Sequence, residues 1–455
     1  MAQRLDCKSL VERLVELGDP YAALGACTVI KSPVLEGLAL SSRRQKLVVA
    51  ALPFAPEDVL YRLSLDADAP MMLRLAKNPA TPREGLMRLL ERRVTAKVRS
   101  YIASHPKADE VILSELAKDP ALEVRQAVAG NPVAPAAVIV DLVKDLDPVI
   151  AQKAAAAPQA GAEVLRELWR KGDTWLRGTV AGNPNCPADI VEQAAECEDE
   201  FIRRKTASNP AVPEAILLRL LADPEEQVRT AAVRNPSISG NCLPDTEETS
   251  PRVRRHFAQR MALPPSLVER LCRDRDTWVR RWIARNPEVP ESLLAELARD
   301  SEAAVRRGVA RNPACPPDLL VCLAKDAEAW VRAGVALRDD VPEEALSLLL
   351  NDKDRDVLAA LGRNTRTPHW KLEEISRHAD KDVRRSVAFN QAAAEACLNL
   401  LANDAYPLNR AVVARRKDLA VHLAEHLLED PEPQVRFAAA ARLARAAATP
   451  TLQME

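Results

Sequence analysis

From Val98 onward the chain repeats one arrangement: a short stretch with apolar residues at helical spacing, a polar corner carrying proline, and a second short apolar stretch. In 302–311, Val305, Val309 and Ala310 share one helical face while Arg306, Arg307 and Arg311 lie off it. Asn312-Pro313 must end that helix. Proline cannot continue the hydrogen-bond ladder and drives the residue before it out of helical geometry, and the asparagine side chain can serve a turn. A second helix is expected from Pro316-Pro317-Asp318, since proline suits the first helical turn and an acid suits the positive helix end. Leu320 and Leu323 then face inward, and Asp326 opens the next unit.

The Val-Arg pair recurs at Val253-Arg254, Val279-Arg280, Val305-Arg306 and Val331-Arg332, in steps of 26 residues. A fixed period of this size indicates stacked helical units in an open array rather than a closed core. The expected fold is all-α, a solenoid of two-helix repeats of about 26 residues. Helices this short are marginal alone, so each unit depends on its neighbours for burial. Earlier starts fall at Val98, Val124, Ile150, Leu176, Ile202 and Val228, and later ones at Val357, Val383, Asn409 and Val435.

Residues 1–44 do not match the repeat, but Leu10, Val11, Leu14, Val15 and Leu17 form an apolar stripe behind Ser9 that predicts a helical cap. The first half of the array is assigned to 45–236 and the second to 253–445. Between them, 237–252 loses one residue of register, and Gly240, Pro244 and a polar run replace the second helix, predicting a bend or projecting loop. Residues 446–455 are expected to fray.

Arginine follows the start position in twelve of fourteen units from Val98, with Ala151 and Leu358 the exceptions, and an acid stands five residues before it in ten. The series Asp274, Arg280, Asp300, Arg306, Asp326, Arg332 therefore reads as a charge ladder that keeps neighbouring units in register. Exposed ion pairs contribute only ~0–1 kcal/mol each, so alignment is its expected role.

The pattern VRxxVAxNPxxPxxLLxxLAxD, with Asp326 six residues before Arg332, resembles the leucine-rich repeat variant family, HEAT-like helical repeats found in bacteria, over about Gln45 to Arg445. The resemblance implies a right-handed superhelix of paired short helices, one helix of each pair being of the tighter 3₁₀ type. Some members carry an N-terminal iron–sulfur cluster on four cysteines. Here the first 50 residues hold only Cys7 and Cys27, so no cluster and no other cofactor is expected.

Composition narrows the rest. With a formal charge of -1, the chain has no overall basic field for nucleic acid. Its nine cysteines are scattered without a CxxC pair, which fits reduced thiols and a cytoplasmic location. Charges at Asp6, Lys8, Glu12 and Arg13 argue against a signal peptide, and no apolar run is long enough for a membrane span. His422 to His426 spells HxxEH, but the repeat phase buries Ala424 and Leu427 and leaves both histidines outside, with no third ligand in prospect. No catalytic residue, metal ligand or phosphate loop is assigned, and a non-enzymatic binding scaffold is expected.

The few aromatic residues are concentrated by phase. Trp175, Phe201, Trp278 and Trp330 each precede a repeat start, and Trp282 lies one turn beyond Trp278. Arg252, His256, Arg285 and Arg311 belong to the same ridge, and 252–311 carries 14 arginines against 8 acids. Tryptophan and arginine are the residues in which interfaces concentrate binding energy, so a protein or peptide partner is one reading. Nucleic acid gripped by stacking and phosphate contact across 252–332 is the alternative. Tryptophans that only seal seams between repeats are the third.

Overall fold

The computed structural model describes residues 43–448 except Phe54, Leu146 and 244–247. The expected cap at 1–44 lies outside the described residues but for its last two, as do Cys7, Cys27 and most of the tail from 446. The described chain falls into two compact units, 43–257 and 258–448. Both are built from α-helices of mostly seven to ten residues, with no strand among the described residues.

In the second unit, α1 (Thr277–Ile283), α3 (Ala303–Ala310) and α5 (Ala329–Ala336) are first helices of successive repeats; α2 (Glu291–Leu297) and α4 (Pro317–Leu323) are the second helices between them. First helices stack on first helices, α1 on α3 and α3 on α5, and each second helix packs against the first helix that follows it, α2 against α3 and α4 against α5. The first unit repeats this, for instance with Glu200–Ser208 stacked on Glu226–Arg234. Helix ends follow local chemistry. Asp276 caps α1 by accepting from the Val279 amide at 3.0 Å, whereas Pro290 and Pro316 start α2 and α4 with no side-chain cap. Val305, Val309 and Ala310 are fully buried, with Leu320 and Leu323 beneath them.

The resemblance implied a 3₁₀ helix in each pair, and this is corrected: both helices of the pair are α. Leu320 N donates to Pro316 O and Ala324 N to Leu320 O, the i→i+4 pattern, and tight i→i+3 bonds appear only at the ends, as from Asp326 N to Leu323 O. Capped starts and a proline stop leave seven or eight residues, enough for two α-turns with a tightened last one. The one 3₁₀ helix among the described residues is Gly240–Cys242, which stands where the first unit would otherwise place a second helix.

Two polar seams join the repeats. In one, the asparagine of each Asn-Pro corner is buried and reaches back across the preceding repeat. Asn312 Nδ2 donates to Ala284 O at 2.9 Å and Asn286 O at 2.8 Å, and its Oδ1 accepts from Ala314 N at 2.8 Å. Asn131, Asn183, Asn209, Asn235, Asn364 and Asn390 repeat this geometry. At two positions where the asparagine is replaced, an arginine fills the slot: Arg338 Nη1 reaches Ala310 O and Asn312 O, and Arg416 Nη1 reaches Ala388 O and Asn390 O.

The other seam is ionic. Arg306 Nε and Nη2 donate to both Asp326 carboxylate oxygens, at 2.7 and 2.9 Å, while Nη1 donates to Asp300 O at 2.9 Å. Arg280 holds Asp300 and the Asp274 carbonyl in the same way, and Arg332 holds Asp352 and the Asp326 carbonyl. Each arginine thus ties the loop before its own helix to the carboxylate of the next repeat. In the first unit Glu248 occupies the acid position after the one-residue shortening and takes Arg229.

Candidate binding ridge on the first helices

The residues two and six places after each repeat start lie on the side of the first helix away from the ionic seam. They are Arg281 in α1 and Arg285 just beyond its end, then Arg307 in α3 and Arg311 at its C-cap. The four line one open pocket of about 70 Å³, floored by Ala304 and Gly308. Gly308 permits the close approach of α1 and α3, since a Cβ there would lie 2.9 Å from Ala284 Cβ and 3.0 Å from Arg281 O.

Tryptophans hold this cluster. The Arg281 guanidinium lies 4.7 Å from the Trp278 ring centroid and 5.8 Å from that of Trp330. Arg307 lies over Trp330 at 4.1 Å, and Arg285 over Trp282 at 5.7 Å. Trp330 therefore crosses the seam to the preceding repeat, yet it stays 37% exposed, and Trp278 is 49% exposed. Trp282 is half-buried.

No carboxylate pairs with any of the four arginines among the described residues, in contrast to Arg280 and Arg306 beside them. Arg307 Nε is buried without a hydrogen-bond partner. Burial, then the charges of Arg311, Arg281 and Arg285, hold Arg307 below the ordinary arginine value, with the charge of Asp356 the smallest influence and opposite in sign. Burial and the charges of Arg311 and Arg281 do the same to Arg285.

The structure brings together Trp278, Trp282, Arg285, Arg311 and Trp330 on consecutive helices of the second unit. Arg252 and His256 belong to Pro251–Phe257, the last helix of the first unit. There Arg252 sits 3.9 Å from Glu226, and half-buried His256 is pushed below its ordinary value by burial and the charges of Arg234 and Arg252. Arg281 and Arg307 were not among the residues singled out from sequence, although the doublets Arg280-Arg281 and Arg306-Arg307 signal them: one arginine per doublet serves the ladder, and the second has none of its acids within reach.

Elsewhere in the second unit, His422 and His426 are exposed, with His422 3.3 Å from Glu395 and His426 3.1 Å from Asn403. Among the described residues no three His, Cys, Asp or Glu side chains are grouped to hold a metal, and no helix is long and apolar enough to cross a membrane.

Stacked two-helix units joined by side-chain seams define the class: an all-α solenoid of two-helix repeats. Among solved structures the chain is similar to "a leucine-rich repeat variant with a novel repetitive protein structural motif", at 28% identity over 48% of this chain and 87% of that one, with a TM-score of 0.34. It is also similar to Kap95p, from a structure concerned with Kap95p binding to RanGDP (11% identity, 97% of this chain, 63% of that one, TM-score 0.29). A third similarity is to importin beta (13% identity, 88% and 56%, TM-score 0.24). No protein-family model and no curated protein matches the chain.

Proposed function

We propose that the chain is a non-catalytic binding scaffold that recognises another protein or peptide through the first-helix ridge of its second unit. One observation supports this above the others. The ladder arginines are all spent on neighbouring repeats, while Arg281, Arg285, Arg307 and Arg311 have no acid partner and stand beside exposed Trp278 and Trp330. Side chains that only stabilised the stack would be expected to neutralise one another, because like charges brought together in a partly desolvated site are costly. Aromatic groups with one wet face and arginines with open N–H edges are what a partner's surface can use.

The test replaces Trp278, Trp282 and Arg285 together with alanine and compares partner recovery in cross-linking and pull-down with the unaltered chain. Loss of the same partner with unchanged helical circular dichroism supports the reading, and undiminished recovery overturns it. Nucleic acid is the second reading for this surface. It requires affinity that falls steeply with added salt, and towards the C-terminus the basic row gives way to Ala333 and Leu337 in the next repeat.

A further inference from the structure

The pocket between α1 and α3 has a more specific chemistry than a basic patch. Cation–π contact uses the face of a guanidinium and leaves its in-plane N–H groups pointing outward. Arg281 and Arg307 lie over the rings of Trp278 and Trp330, contacts that position the two guanidinium groups without using up their N–H donors. Arg307 Nε, buried and unpartnered, is a donor without an acceptor, and buried donors in folded proteins are nearly always satisfied. The pocket of about 70 Å³ lined by four guanidinium groups is open to solvent on one side, so a ligand's charged end can enter from outside.

We infer that this pocket binds the phosphate of a phosphorylated side chain on a protein partner, with Arg281, Arg285, Arg307 and Arg311 as its ligands and Trp278 and Trp330 as the flanking platform. The inference rests on the proposed role of the ridge as a protein-contact surface. Charge and shape select phosphate over carboxylate. A carboxylate supplies one negative charge and two oxygens, leaving most of the cluster's charge uncompensated, whereas a phosphate monoester supplies ~1.5–2 charges and three strong acceptor oxygens. The short extent of the cluster selects a single phosphate over a nucleic-acid backbone, since a strand would call for a continuing row of cations. That row stops at Trp330, Ala333 and Leu337.

The experiment measures binding of the full chain, by fluorescence anisotropy, to a degenerate peptide pool with one fixed phosphoserine. The same pool with serine, the same pool with aspartate, and a 20-nucleotide oligothymidylate are run beside it. Binding of the phosphoserine pool alone, displaced by phenyl phosphate, is expected. Arg307→Gln and Arg281→Gln should each weaken it by about tenfold or more, as loss of a charge-assisted contact does. Arg299→Gln, which removes the same charge from an exposed position outside the pocket, should leave it unchanged. Circular dichroism of each variant identifies any that fail to fold, and for those, displacement by phenyl phosphate on the unaltered chain decides. Equal binding of the serine or aspartate pool overturns the phosphate inference while leaving the peptide-surface reading intact. Binding of oligothymidylate without the phosphoserine pool overturns both. Binding of no probe overturns the inference, and the triple-variant pull-down then judges the surface by itself.

Discussion

Replacing Asn312 with alanine tests the asparagine seam. The side chain is fully buried and serves three backbone groups. Asn286 O would keep a bond from Val289 N at 3.3 Å, but Ala284 O and Ala314 N would lose the partner they have in Asn312. An orphaned buried polar group costs about 1–3 kcal/mol, and partial access of water through the cavity lowers that, so the whole change should come to about 2–4 kcal/mol. Each repeat touches only its neighbours, so the loss should be local rather than global. The readout is hydrogen exchange by mass spectrometry, where this cost lowers protection by roughly 30- to 1,000-fold in peptides covering 277–290 and 303–323, with little change in the first unit. Arg338→Asn is the paired control. It keeps donors for Ala310 O and Asn312 O and gives up the pair with Asp340, whose carboxylate is exposed, so it should stay within about 1 kcal/mol of the parent. Unchanged protection in Asn312→Ala, or an equal loss in Arg338→Asn, would refute the idea that the slot is defined by the two carbonyls.

The ionic seam predicts a pH dependence. Burial alone would raise the carboxyls of Asp300, Asp326 and Asp352, but the ladder arginines and backbone amides outweigh it and hold all three below their ordinary value. A carboxylate with a depressed folded value binds fewer protons folded than unfolded, so its contribution is complete above the unfolded pKa of about 3.9 and is lost as pH falls below it. Urea midpoints should therefore drop below about pH 4, and less steeply when Asp300 and Asp326 are both asparagine; identical acid slopes would count against the ladder. Gly308→Ala should gain about 1 kcal/mol of helix propensity and lose about 1–3 to overpacking against Ala284 and the Arg281 carbonyl, a net destabilisation seen as a lower melting temperature. A raised melting temperature would show that α1 and α3 need no close approach. Burial pushes the Cys272 and Cys315 thiols up to about 12 and about 11, whereas Cys322 is exposed. Brief iodoacetamide treatment of the native chain should thus modify Cys322 and spare the other two, as peptide mass spectrometry would report.

What the sequence revealed divides along the distance over which the physics acts. The corners at Asn312-Pro313 and Pro316-Pro317 and the inward faces of Val305, Val309, Leu320 and Leu323 follow from local rules, and all were legible. The second role of Asn312 was not, because its partners lie 26 and 28 residues back and nothing in a turn propensity points to them. Arg338 and Arg416 were harder still, since an arginine in an asparagine slot reads as a broken repeat until its donor is seen on the same two carbonyls. In the ridge, tryptophan phase picked out Trp278 and Trp330, but Arg281 and Arg307 were not singled out. Only the stacking of three helices shows that they converge, and that the 3₁₀ expectation gives way to α geometry.

The joint between repeats is read from main-chain carbonyls, which every residue possesses. Side chains of a first helix that touch neither seam nor the preceding repeat can therefore be exchanged without disturbing how the next module seats. A lineage carrying such an array could rewrite its recognition surface one module at a time, with the same connector left in place beneath each new set of contacts.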